Sequence, residues 1–213
     1  VLVLPEPAGR RDPGHWSELM LAHDVTLWNS VPATMEMLLE FAAQHREAIP
    51  QSLRLAFLGG DWIPLDMPER LVAQCSSAKV VSVGGPTETT LWSIWYPVDE
   101  VQPDWKSIPY GRPIANTKYY IFDNDMRACP DWVTGVMYVA GPGVSLGYLD
   151  DAKQSAEKFV HHPVSGERLF CTGDQGRWRS DGTIEFMGRA DFQVKIQGRR
   201  IELGEIETAL RKN

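Results

Sequence analysis

A β-branched run, Lys79-Val80-Val81-Ser82-Val83, stops at Gly84-Gly85-Pro86, and a hydroxyl-rich loop, Thr87-Glu88-Thr89-Thr90, follows it. The run reads as a buried strand. The glycines permit positive φ and the proline cannot donate to a ladder, so pairing has to end there. Two further strand-like segments precede it, Val25–Asn29 and Leu53–Gly60, and helical stripes separate all three. Trp16, Leu19 and Met20 behind Asp12-Pro13 share one helix face, and Met35, Leu38, Leu39 and Ala42 after Pro32 share another. Pro64–Cys75 supplies the third helix. Strands joined by helices pair in parallel through right-handed crossovers. Their carboxyl ends then face one way, which is where ligands gather in open parallel sheets.

This geometry predicts that Asn29, Phe57, Gly59 and Val83, with Leu91 and Trp92 returning from the loop, line a small apolar cavity with one polar handle. Phe57, Val83 and Leu91 taken singly are equally consistent with core packing. Asn29 differs, because a buried amide at a strand end needs partners. The loop 84–90 admits two readings: an ordinary Gly-Pro turn with a polar tip, or a site where hydroxyls and N–H groups hold phosphate oxygens and Glu88 holds Mg2+.

Beyond residue 100 the pattern changes. A Pro-containing linker, Val101–Pro113, leads into strand-like runs at Thr117–Phe122, Val136–Ala140 and Arg168–Cys171. Ser180-Asp181-Gly182 marks a hairpin between Arg177–Arg179 and Thr183–Phe186, so a compact antiparallel subdomain is expected. Gly141-Pro142-Gly143 follows an antiparallel strand and has no third glycine in register, which excludes a dinucleotide loop. His161-His162 lies in a polar loop and reads as solvated rather than as a metal ligand pair. Asp174, held on a tight turn after Cys171-Thr172-Gly173, can accept two ribose hydroxyls or serve as turn chemistry. Phe192, Val194 and Ile196 alternate as in a half-buried strand, Gly198 ends it, and a helix with Ile206, Ala209 and Leu210 follows. Lys195, Arg199 and Arg200 read as a solvated face balancing Glu202, Glu205 and Glu207, and Asp191 sits where a hinge would.

With 213 residues, 43% of them hydrophobic, the chain can bury a sizeable core. A net charge of −7 argues against a nucleic-acid surface. Cys75, Cys129 and Cys171 are odd in number and lie far apart, which points to free thiols in a reducing cytosol and so to a cytoplasmic protein. No segment is apolar and long enough to span a membrane. The opening on Val1 and the close inside a charged helical pattern suggest a piece of something longer.

GGPTETT at 84–90, TGD at 172–174 and GRADFQVKIQGRRIELGEIE at 188–207 together resemble, in order and spacing, the later core motifs of nonribosomal peptide synthetase adenylation domains. IPYGRPIANTKYYIFD at 108–123 and GVMYVAGPGVSLGYL at 135–149 look like the intervening ones. The resemblance covers essentially the whole chain, and its 188–207 motif is highly specific. It implies the fold of the AMP-forming acyl/aminoacyl-adenylate superfamily. Residues 1–104 would be an α/β part with a parallel sheet and flanking helices, and 105–190 a small antiparallel β-barrel-like part. Residues 191–213 would be the hinge and the start of a small C-terminal subdomain. Such enzymes activate an amino-acid carboxylate with Mg2+ and ATP to aminoacyl-AMP. They then load it on the phosphopantetheine thiol of a peptidyl carrier protein domain.

Carried over, the resemblance gives Glu88 to Mg2+ and Thr87 to the phosphates as the catalytic pair. Ser82, Gly84, Gly85 and Pro86 fall to the nucleotide, Asp174 to the ribose with Arg189 beside it, and Asp191 to the pivot. The implied substrate pocket is the strand-end set, Asn29, Phe57, Gly59, Val83, Leu91 and Trp92. Several positions depart from the family pattern. Gly84 stands where most members have an adenine-stacking aromatic residue, Ser82 where an adenine-contacting amide is common, Val136 for a glutamate and Gln197 for an arginine. The earlier phosphate loop and the lysine of the small subdomain are missing, so this stretch by itself is not expected to catalyse. The phrasing GGPTETTLWSIWYPV and CPDW at 129–132 is similar to synthetases beside heterocyclisation domains, as in siderophore assembly, so a neighbouring condensation or heterocyclisation domain is the implied partner. Cysteine is the favoured substrate, threonine or serine next. The alternatives are a degenerate scaffold or docking module without activity and an acyl-CoA ligase of the same superfamily. A tailoring domain inserted after residue 213 is a further possibility that the resemblance raises.

Overall fold

The computed structural model describes residues 1–45, 47–190, 194–196, 199–201 and 210. They form two compact units, one of Val1–Ser82 with Pro97–Ile108, the other of Val83–Tyr96 with the described residues from Pro109 on.

The first unit is the expected helix–strand alternation. Asp12 caps α1 (Pro13–Ala22) by accepting from the Gly14 N–H at 2.9 Å, and Pro13 fits the first turn, where no N–H is needed. β1 (Leu27–Ser30) leads to α2 (Pro32–Gln44), whose buried stripe is Met35, Leu38, Leu39 and Ala42, the residues the periodicity marks. β2 (Leu55–Leu58), α3 (Met67–Gln74) and β3 (Lys79–Gly84) follow. Helix α3 begins at Met67 rather than Pro64, because Pro68 is tolerated only in a first turn. Asn29, Phe57 and Val81 are parallel register partners, and so are Ser30, Leu58 and Ser82. The three carboxyl ends therefore lie level at one end of the sheet. Leu53, Ala56, Leu58, Met67 and Leu71 are completely or almost completely buried and form much of the core.

In the second unit, β4 (Ile94–Val98) pairs with β5 (Arg112–Pro113). The main sheet is antiparallel. It contains β6 (Lys118–Phe122), β7 (Gly135–Ala140), β8 (Phe159–His161), β9 (Arg168–Trp178) and β10 (Ile184–Arg189) in the order β10-β9-β7-β6, with β8 also on β9. Helix α4 (Ala152–Lys158), capped by Asp151, precedes β8. Ile94, Tyr119, Ile121, Met137, Val139 and Ile184 pack as one buried cluster. The expected hairpin is present: the Asp181 carboxylate accepts from the Thr183 N–H at 2.9 Å, and Gly182 takes φ +77°. The run at 168–171 proves to be the start of an eleven-residue strand that carries Asp174.

Among the described residues after 190, β11 (Val194–Ile196) and β12 (Arg199–Ile201) pair antiparallel. Gly198, where a break is expected, lies outside the described residues. The hinge residue Asp191 and the helical positions Ile206 and Ala209 lie outside the described residues.

Candidate functional site

Asp174 lies in the middle of β9 opposite Arg189 of β10. Their side chains are only 8% and 10% exposed, and Arg189 donates to Asp174 Oδ1 at 2.6 Å. Thr172 is the support beneath: its hydroxyl donates to the Met137 carbonyl at 2.8 Å and accepts the Asp174 N–H at 3.0 Å. Gly173, at φ +73°, allows the turn of backbone between them. A bulge between Phe186 and Gly188 shifts the register so that Arg189 faces Asp174. The result is a buried carboxylate held in place by a guanidinium.

Glu88 is placed differently. Thr87–Thr89 form a single 3₁₀ turn after Pro86, and Thr90 and Leu91 continue it at φ +65° and +67°. Two consecutive non-glycine residues in the left-handed region are a strained connection. A second loop holds the turn in place. Tyr148 donates its hydroxyl to Glu88 Oε1 at 2.6 Å, the Ser145 N–H donates to the Glu88 carbonyl at 2.8 Å, and Thr90 donates to the Gly143 carbonyl at 2.7 Å. Arg168 fixes that loop in turn through the carbonyls of Ser145 and Leu146 at 2.6 and 2.7 Å. The segment 141–149 is therefore not a dinucleotide loop but a brace for Glu88. β6 and β7 on its amino-terminal side are indeed antiparallel.

A chain of hydroxyls runs under the glycines. Thr89 Oγ1 reaches Ser93 Oγ at 3.1 Å, and Ser93 Oγ lies 2.7 Å from the Tyr119 hydroxyl. Tyr110 packs edge-on against Tyr119 at a centroid distance of 6.4 Å, and its ring fills the space beside Gly84. Burial pushes both phenols far above their ordinary range, and the negative charge of Asp174 pushes in the same direction. Tyr110 thus lies beside Gly84 and contacts Ile184 and Phe186 of β10, the strand that pairs with the Asp174 strand. Sequence reasoning did not single out Tyr110, Tyr119, Ser93 or Tyr148. The signal available was a glycine at 84 where a ring is expected, together with a tyrosine in the motif 108–123.

A metal fits the donor set in one way only. Among the described residues no three His, Cys, Asp or Glu side chains cluster as a metal cage. A single oriented carboxylate suits Mg2+, which keeps several waters and shares its remaining positions with substrate phosphates.

The other sequence-derived residues fall on both units. Asn29 is exposed, so its reading as a buried amide does not hold; among the described residues β1 has a sheet partner only on the β2 side. Phe57 and Gly59 are half-buried, and Ser82 is buried. In the second unit Val83 and Gly84 are buried, Gly85, Pro86, Glu88 and Trp92 half-buried, and Thr87 and Leu91 exposed, Leu91 by 60%. His162 departs from its solvated reading. Its Nδ1 accepts from the Val164 N–H at 3.1 Å, and its ring sits edge-on to Tyr120 and Phe122, so it organises the turn before β9. All three cysteines are free, as expected. No helix among the described residues is long and apolar enough to cross a membrane.

The AMP-binding enzyme family matches residues 1–149. The chain belongs to that family. Pyochelin synthetase PchF of Pseudomonas aeruginosa is 44% identical over 209 residues, covering 98% of this chain and 12% of that protein. The solved nonribosomal peptide synthetase FmoA3 aligns with a TM-score of 0.83 and 50% identity over 87% of this chain and 20% of its own. FmoA3 is also known in AMPPNP-bound and α-methyl-L-serine-AMP-bound forms. PA1221, a synthetase protein containing adenylation and PCP domains, aligns with a TM-score of 0.85 and 26% identity over 94% of this chain and 35% of its own. Within the AMP-binding family the chain is thus part of a nonribosomal peptide synthetase adenylation domain. It spans a fifth or less of the lengths of PchF and FmoA3.

Proposed function

We propose that the protein containing this chain activates an amino acid with ATP to aminoacyl-AMP and pyrophosphate, and passes the acyl group to a carrier-protein phosphopantetheine thiol. The observation that carries the reading is the arrangement around Tyr110. A glycine-rich, hydroxyl-rich loop at 84–90 meets that ring at Gly84, and a buried, guanidinium-clamped carboxylate at 174 lies on the strand paired with β10, which Tyr110 contacts through Ile184 and Phe186, inside one compact unit.

In this reading Asp174 accepts the two ribose hydroxyls, and Arg189 fixes the plane of its carboxylate. The backbone of Gly84, Gly85 and Pro86 borders the nucleotide with Ser82 behind it, and Thr87 donates to phosphate oxygens. Glu88, oriented by Tyr148, would hold Mg2+, which neutralises phosphate charge when bound. The amino-acid carboxylate attacks the α-phosphorus, the bond to the β,γ-diphosphate breaks, and pyrophosphate leaves. The carrier thiol then attacks the acyl carbon as its proton is lost, and AMP leaves. Positioning and charge neutralisation supply most of the rate in such transfers. Asn29, Gly59 and Trp92, with Phe57, Val83 and Leu91, are proposed to select the side chain, cysteine before threonine or serine. Adjacent condensation or heterocyclisation domains and rotation about Asp191 belong to the same proposal.

Amino-acid-dependent exchange of pyrophosphate into ATP by the full-length protein tests it. Glu88→Ala and Asp174→Ala should each lower exchange by about a hundredfold or more. Unchanged exchange in both variants would remove the assignment. Absence of exchange and of ATP binding in the unaltered protein would favour the scaffold reading.

A further inference from the structure

We propose that Tyr110 supplies the aromatic wall of the nucleotide site, in the volume that a side chain at position 84 would otherwise fill, and packs against the adenine of ATP. The proposal rests on the reading that the 84–90 loop and Asp174 hold ATP, and adds a residue that no family motif assigns to this role.

Three observations carry it. First, a Cβ built on Gly84 would overlap the Tyr110 ring, lying 2.7 Å from its hydroxyl oxygen and nearer still to its ring carbons. Gly84 is at a buried strand end and, unlike Gly85, needs no positive φ, so backbone conformation does not explain the glycine. The ring does: one aromatic group fits there, and it arrives from residue 110. Second, the ring is fixed. The Tyr110 N–H donates to the Ile184 carbonyl at 2.9 Å, and the Ile184 N–H returns a bond to the Gly111 carbonyl at 2.7 Å. Phe186 and Tyr119 pack at centroid distances of 5.7 and 6.4 Å, the latter edge-on. Third, the residue is only half-buried, and it contacts Ile184 and Phe186 of β10, the strand that pairs with the Asp174 strand. A base attached to a ribose held by Asp174 would meet a rigid flat surface, and bases stack on such rings irrespective of sequence.

The test compares Tyr110→Leu, which keeps apolar volume without a flat face, with Tyr110→Phe and with Gly84→Tyr combined with Tyr110→Ala, all in the full-length protein. AMPPNP affinity is measured by calorimetry, and the KM values for ATP and for the amino acid by exchange. Tyr110→Leu should weaken AMPPNP binding about tenfold and raise the ATP KM alike, with the amino-acid KM unchanged. Tyr110→Phe should stay within about threefold of the unaltered protein, and the double variant should recover most of the loss because the ring returns from position 84. AMPPNP affinity unchanged in Tyr110→Leu would overturn the proposal while leaving the adenylation reading intact. Equal rises in both KM values, with no recovery in the double variant, would also overturn it. An unaltered protein that binds no AMPPNP would overturn the adenylation reading, and this proposal with it.

Discussion

Asp174 and Glu88 belong to the same compact unit, yet different forces hold them. Asp174 is embedded in the antiparallel sheet, paired with Arg189 across a strand register and nearly closed to water. Glu88 sits on one strained turn whose position depends on a second loop, through Tyr148, Ser145 and Gly143. A carboxylate built into a sheet is fixed by the global fold. One carried on a braced turn is fixed by a few hydrogen bonds and can be released locally.

The largest expected effect tests the rigid end. Asp174→Ala removes the carboxylate facing the buried Arg189 guanidinium and should cost about 3–5 kcal/mol in denaturant unfolding, against about 1.5–3 kcal/mol for Glu88→Ala. Equal losses would erase the contrast. Tyr148→Phe comes next. Loss of one hydrogen bond to a carboxylate, worth about 1.5–3 kcal/mol, should raise the Mg2+ concentration needed for exchange roughly tenfold or more and leave the amino-acid KM unchanged. An unchanged Mg2+ requirement would show that the brace does not position Glu88.

A pH titration probes the hydroxyl chain between the two ends. Burial first, with charge from Asp174 in addition, raises the folded-state values of Tyr110 and Tyr119. Their protonated forms thus contribute stability that is complete below the ordinary phenol value of about 10. Above it the unfolded chain sheds protons that the folded chain keeps, so stability falls by up to about 1.4 kcal/mol per pH unit for each phenol until the raised folded values are reached. Tyr110→Phe should make that fall shallower in unfolding measured between neutral and alkaline pH. The smallest effect is expected at Leu91. Its left-handed backbone costs about 1–2 kcal/mol and glycine costs about 0.5–1 kcal/mol in chain entropy, so Leu91→Gly should stabilise by about 0.5 kcal/mol in thermal unfolding.

The elements legible in the sequence are those with a local signature. The α2 stripe, the Asp12-Pro13 cap, the three parallel strands and the Asp181-Gly182 hairpin follow from periodicity, capping and turn chemistry. Helix α4 escaped because it buries none of its residues and so shows no apolar stripe. β4 contains Pro97, which counts against a strand, and β8 has only three residues. Asn29 was misread as buried because the period of a strand does not say that one side of it lacks a neighbour. His162 was misread because its partners, the N–H groups of Val164 and Ser165, appear only once the turn is formed.

What the sequence by itself determined is the order and type of the main elements, and the residue types able to meet a nucleotide, because propensity, capping and turn geometry act within a few residues. Only the tertiary structure decided that Tyr110 fills the space beside Gly84, that Arg189 faces Asp174 and that Tyr148, 60 residues further along, holds Glu88. Those contacts depend on strand register and loop closure, which sequence distance does not encode.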